Sequence, residues 1–299
     1  MATKTLQAQA WDTATTPKAI PPRLHNLIAD NEKILTKILN TSRMELEAVA
    51  KTYKNPQQLE QILRALINRG FITTDTHSED ITRFKSNVGS AFKIGLFQGP
   101  TPPNPAVMSI IQETMVNSAV NYITKLDSDL KMQLGQIMAD GYKNKVFPTD
   151  IVKQMSERVG ITQGRAGMIA RTETMRSSNI ANWSQAKANG QKYFIVDHRG
   201  AACIYCKQIA SKGVFSIDET RYVPPYHPNC ACVPIFFDDK ADAKDYLDRV
   251  MKRNELEIKE MKRQGYKIPK DGTGINLTGD EQTKIIKKVA KKPKKEDED

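Results

Sequence analysis

Five side chains in the second half of the chain carry the strongest chemical signal. Cys203 and Cys206 form a C-x-x-C turn, and His227, Cys230 and Cys232 follow after twenty intervening residues. All four cysteines of the chain lie between residues 203 and 232. Zinc takes about four soft ligands in a tetrahedron, and a C-x-x-C turn aims two thiolates at one point. The second cluster offers three more donors, so five candidates compete for four places and spacing does not choose among them. Pro224-Pro225 and Pro228 stiffen the approach, which lowers the entropy lost in gathering distant ligands. In a reducing compartment such clustering points to metal before disulfide. A thiol/histidine cluster without metal, a disulfide and a catalytic Cys–His pair stay open beside that reading. Catalysis would require a thiol of lowered pKa, an orienting partner and an oxyanion site. A catalytic zinc keeps an open coordination position, whereas this cluster has surplus ligands, and no H-x-E of the deaminase kind adjoins it. The expectation is a structural zinc contributing about 10 kcal/mol or more of folding free energy.

Three further groups of residues invite a role. The helical string Arg165 to Arg176 carries Arg171 and Glu173, which lie about 200° apart on a helix and so face separate partners. They read as polar struts tying this helix to the sheet that follows, rather than as an acid/base pair. Asp197 and Arg199 stand just before the cysteines, where Asp197 could orient a ligand histidine or cap the turn. The tail holds seven lysines, Lys284, Lys287, Lys288, Lys291, Lys292, Lys294 and Lys295, followed by four acids. Such runs are solvated and often act as nucleic-acid arms, tracking the phosphate backbone with little sequence preference. His25 and His77 stand alone. No P-loop, G-x-G-x-x-G, G-x-S-x-G or H-E-x-x-H is present.

The elements that must position these residues divide the chain in two. Residues 1–20 lack periodicity and read as a flexible arm, with Trp11 as a docking anchor at most. Residues 21–145 read as a helical domain. Asn55-Pro56 and Asn104-Pro105 each place a capping side chain before a proline tolerated in the first turn. Apolar stripes such as Leu59, Leu63, Leu66 and Ile67 repeat at helical spacing. Gly99 to Pro103 is the clearest break. Past residue 145, Thr149 caps a short helix ending near Gly160, and Thr162 opens another that runs to Gly190. Tyr193 to Val196 and Val233 to Phe237 read as short strands, the second placed at an edge by Pro234. A charged helix spans Ala241 to about Arg263. The fold class is α+β: a mostly helical N-terminal half, then a small α+β domain at 146–240 with a zinc-knuckle-like Cys/His site, then 241–299 as charged helix and tail.

Composition narrows the function classes. With 299 residues there is room for about two domains. The balance of 45 Lys+Arg against 34 Asp+Glu leaves +11, which suits a polyanionic partner. No apolar run approaches the ~18 residues of a membrane helix, and no secretory signal is expected.

The string from residue 165 to 237 resembles the phage head-morphogenesis domain of Mu F-like minor capsid proteins. The residues that carry the likeness are Ile169-Ala170-Arg171-Thr172-Glu173-Thr174, Asp197 and Arg199, Gly213, Pro224-Pro225 and His227-Pro228-Asn229-Cys230-Ala231-Cys232. They cover about a quarter of the chain, and a helical N-terminal half is similar to the family's layout. Many members have Arg or Lys where this chain has Ala231, and others lack the first cysteine pair. The resemblance implies a minor structural protein inside a tailed-phage head, present in the host cytoplasm during assembly and in the virion afterwards. Its implied partners are the portal protein and double-stranded DNA, with a scaffold or major capsid protein in addition and no membrane. It implies roles in assembly, packaging or ejection rather than catalysis. The rival readings are a toxin-like enzyme, nuclease or ADP-ribosyltransferase-like, and a portal adaptor that does not touch DNA.

Overall fold

The computed structural model describes residues 22–53, 55–96, 104–198, 204–228 and 230–265. Five long helices come first: α1 (Pro22–Thr52), α2 (Pro56–Arg69), α3 (Ser78–Gly95), α4 (Pro105–Lys143) and α5 (Pro148–Ala188). Strand β1 (Tyr193–Asp197), helix α6 (Ile204–Ala210), strands β2 (Phe215–Ser216) and β3 (Val233–Phe237), and helix α7 (Lys240–Arg263) follow. The chain is α+β, as its patterning predicts, and helix dominates. Among the described residues no helix is long and apolar enough to cross a membrane.

The caps act where the sequence places them. Asn55 Oδ1 accepts from the N–H groups of Gln57 and Gln58 at 2.9 and 3.2 Å. Asn104 Oδ1 does the same for Ala106 and Val107 at 2.9 and 3.4 Å, and Asp239 caps α7 through Ala241 and Asp242. The expected break near Gly160 is absent, because α5 runs unbroken for 41 residues. Val159, Thr162, Ala166 and Ala170 are buried along it, and their packing outweighs the roughly 1 kcal/mol helix penalty of each glycine.

Two compact units divide the chain. One comprises Leu24–Lys93 and Ser109–Ser177, and the described residues of the other lie chiefly from Ser178 onward. The division therefore falls inside α5, about thirty residues beyond the expected boundary at 145/146, since α5 up to Ser177 shares the first unit's core. That core joins Leu35, Ile38, Leu39 and Leu46 of α1 to Leu63, Phe84, Leu126, Leu130, Leu134, Met155 and Ala170. Inside it, Asn31 Nδ2 donates to Thr174 Oγ1 at 3.0 Å, and Ser177 Oγ donates to the Val88 carbonyl at 2.9 Å.

After α2 the chain turns at Gly70, whose φ of 95° lies in the region that favours glycine. The buried Asp127 carboxylate of α4 fixes the turn, accepting from the Phe71 and Ile72 N–H groups at 2.9 Å each and from the Thr73 hydroxyl at 2.8 Å. A Cβ at position 70 would meet Asp127 Oδ2 at 2.7 Å. Asp127→Ala strands two buried donors, so urea unfolding should show a loss of about 2–4 kcal/mol. A loss below about 0.5 kcal/mol would show that the turn holds itself.

In the second unit the sheet order is β2-β1-β3 and all pairs are antiparallel. Phe194 stands opposite Phe215 and Phe236, and Val196 opposite Pro234, which leaves Pro234 on an edge strand as its missing N–H requires. Alternation splits the sheet into two apolar faces. Phe194, Val196 and Phe236 pack on one side with Ala186, Ile209, Phe215 and the cysteines. Ile195, Ile235 and Phe237 pack on the other with Ala243, Tyr246 and Val250 of α7.

Candidate metal centre

Cys206 sits in α6, a seven-residue helix that sequence patterning does not reveal. Cys230 and Cys232 lie on the segment that enters β3, and His227 lies in the proline-rich loop before them. Pro224-Pro225 is joined by a cis peptide bond. The Sγ atoms of Cys206, Cys230 and Cys232 all lie within 4.8 Å of one another, and all three residues are buried. Cys206 Sγ is 3.7 Å from Cys230 Sγ and 3.0 Å from His227 Nε2. Zinc–sulfur bonds of about 2.3 Å in a tetrahedron give a sulfur–sulfur edge of about 3.8 Å. The thiol pair is therefore spaced for an ion, and the three cysteines can hold one.

The His227 imidazole abuts one of these thiols. His227 Nδ1 lies 2.7 Å from the Pro228 carbonyl oxygen, which can only accept, so Nδ1 carries the proton. Nε2 then keeps its lone pair and presents it to the sulfur cluster, the tautomer a metal-bound histidine uses. Hydrogen bonds from Cys206 and Cys232 hold the Cys230 thiol far below its ordinary range, while the Cys206 and Cys230 partners push Cys232 up. Burial, with the thiols beside it, pushes the Tyr226 hydroxyl well above its usual range. A cation held by these thiols would favour the thiolate form of all three.

The supports of this centre come from α5 and were not assigned by sequence reading. Asn179 Nδ2 donates to the carbonyls of Pro224 at 3.1 Å and Cys232 at 3.0 Å, joining both arms of the ligand loop. Trp183 Nε1 donates to the Ile217 carbonyl at 2.9 Å. The expected struts, Arg171 and Glu173, point elsewhere: Arg171 pairs with Glu32 of α1 at 3.3 Å. Glu173 is buried and pairs with Arg176 at 3.3 Å. Burial raises its pKa against the opposing pull of Arg176. Position along the helix explains the correction, because Asn179 and Trp183 lie on the part of α5 that belongs to the sheet-bearing unit and Arg171 and Glu173 do not.

Asp197 also departs from expectation. It does not orient His227, whose Nδ1 is taken by Pro228. It forms an ion pair with Arg253 of α7, and Arg253 Nε lies 3.7 Å from Glu257. Next to this pair, Asn254 Nδ2 donates to the His198 carbonyl at 2.6 Å. Asp197, His198, Asn254 and Glu257 are all buried. Arg253 and Glu257 escaped notice because 56 and 60 residues separate them from Asp197. Of the remaining sequence candidates, Cys203, Arg199 and the seven tail lysines lie outside the described residues, as does Trp11. No family model, curated protein or solved structure matches the chain.

Proposed function

We propose that this chain is a minor head protein of a tailed phage, portal-associated and in contact with double-stranded DNA, and that zinc staples its second unit. The reading rests on one observation. The sulfurs of Cys206, Cys230 and Cys232 lie within 4.8 Å of one another, with His227 Nε2 3.0 Å from Cys206 Sγ, and His227, Cys230 and Cys232 belong to the pattern that carries the resemblance. Cys206, Cys230, Cys232 and His227 would hold the zinc, with Cys203 as the remaining candidate. When bound, zinc supplies a closed structural link and no open position for chemistry. The site's neighbours serve the same end: Asn179 ties the loop arms, Asp197 is spent on Arg253, and Glu173 is buried against Arg176 in the other unit. This disposition speaks against the toxin-like enzyme. The +11 charge and the lysine tail support the DNA contact over a purely protein-binding adaptor.

Filter binding of the full chain to a duplex of mixed sequence tests the DNA contact. Retention at about 50 mM salt should fall steeply by about 200 mM, as expected when phosphate charge is neutralised by Lys and Arg. Absence of retention even at about 50 mM refutes the DNA contact and leaves the adaptor.

A further inference from the structure

One surface of the stapled unit gathers positive charge on an aromatic ring. Lys212 Nζ lies 5.0 Å and the Arg221 guanidinium carbon 4.7 Å from the centroid of the Tyr222 ring. Lys212 Nζ also lies 3.4 Å from the Tyr222 hydroxyl. Two cations this close to one centroid are at most about 10 Å apart and repel each other, a cost that a bound anion removes. The acids nearby do not remove it. Asp218 is taken by Lys187 at 2.9 Å, and Glu219 Oε2 accepts from the Ser216 N–H at 2.9 Å. The other Glu219 oxygen reaches Arg221 only at 3.9 Å, with both side chains exposed, and no acid pairs with Lys212 among the described residues.

The ring is held from below. Phe215 lies against it with centroids 4.4 Å apart, and the Tyr222 carbonyl accepts from the Tyr226 hydroxyl at 2.6 Å. Tyr226 immediately precedes His227 and packs with the cysteine-bearing core. Lys212 is fixed at its backbone, where its N–H meets the Ile209 carbonyl at 3.0 Å, and Gly213, at φ 101°, closes the turn that follows α6. The cations thus sit on a platform rooted beside the ligand loop, with charged heads in solvent.

We propose that Lys212 and Arg221, mounted on Tyr222, grip the phosphate backbone of double-stranded DNA, so that the stapled unit itself, and not the lysine tail alone, engages the duplex. The proposal rests on the DNA contact proposed above. Arg221 offers a planar donor fork and Lys212 a mobile ammonium, the two side chains that most often meet phosphates. The one carboxylate that reaches Arg221 among the described residues, Glu219, does so at 3.9 Å from an exposed position, where a phosphate can compete with it.

The test measures fluorescence anisotropy of a labelled duplex with three full-length proteins across a salt series. These are the natural chain, the double variant Lys212→Ala, Arg221→Ala, and a charge-matched control, Lys244→Ala, Lys259→Ala, altered on exposed positions of α7. The first variant should bind at least tenfold more weakly at about 100 mM salt, and its log–log salt slope should shrink by about 1.8, which is two phosphate contacts. The control should stay within about twofold of the natural chain. A natural chain that binds while the first variant matches it, or while the control weakens equally, overturns the grip and leaves the tail as the contact. A natural chain that does not bind at all removes the DNA reading, and the grip with it.

Discussion

Replacing Cys206 and Cys230 together by serine should abolish metal binding and melt the sheet-bearing unit. Elemental analysis of the natural chain should return one zinc per chain, and the double variant none. The size of the effect follows from how little else holds this unit. Its sheet has three strands, β2 spans two residues, and the thiols themselves form part of one apolar face. Structural zinc supplies on the order of 10 kcal/mol or more in small domains, the entire net stability of most proteins of that size. Loss of the ion should therefore shift the emission of Trp183, while far-ultraviolet dichroism retains the signal of the first unit's helices. Acidification should release the ion from the natural chain, since protons compete for every thiolate. A variant that keeps stoichiometric zinc, or loses it with an unchanged melt, would break the link between this cluster and the fold.

The second large effect centres on Arg253. Its side chain is mostly buried, and burial alone lowers its pKa, yet Asp197 and then Glu257 outweigh that and raise it. Arg253→Met keeps much of the stem's volume but takes the cation from the buried Asp197 carboxylate, so urea unfolding should show a loss of about 3–5 kcal/mol. Adding Asp197→Asn to the variant should restore part of the loss, because it removes the uncompensated charge. Breaking the exposed Lys37–Asp80 pair, 2.9 Å long with the lysine 67% exposed, should cost under about 1 kcal/mol. Equal losses at the two sites would mean that Arg253 is solvated and its acids are not stranded.

What the residues disclosed in advance follows the range over which each signal acts. Helix starts at Asn55 and Asn104 are readable because a cap involves residues two or three apart. The strands at 193 and 233 are readable because their branched and aromatic runs stand apart from the surrounding texture. The ligand cluster is readable from residue type, although α6, which presents Cys206, is too short to show a period. The continuity of α5 is hidden because Gly160 looks like a break until its neighbours' burial is known. The Asp197–Arg253 pair and the Asn179 bridge are hidden for another reason. Each joins segments tens of residues apart, and no local rule couples an asparagine on a helix to the carbonyl of a cysteine 53 positions on.

The spacing of Cys206 and Cys230 also has a price in air. Two sulfurs 3.7 Å apart need only a modest rotation to reach bonding distance near 2.05 Å, and an oxidant that takes two electrons and two protons from them would leave a covalent bridge. A resident cation blocks that reaction by occupying both lone pairs. Chain stripped by a chelator in aerated buffer should therefore refuse reloading until a reductant is added, so the ion guards its own seat.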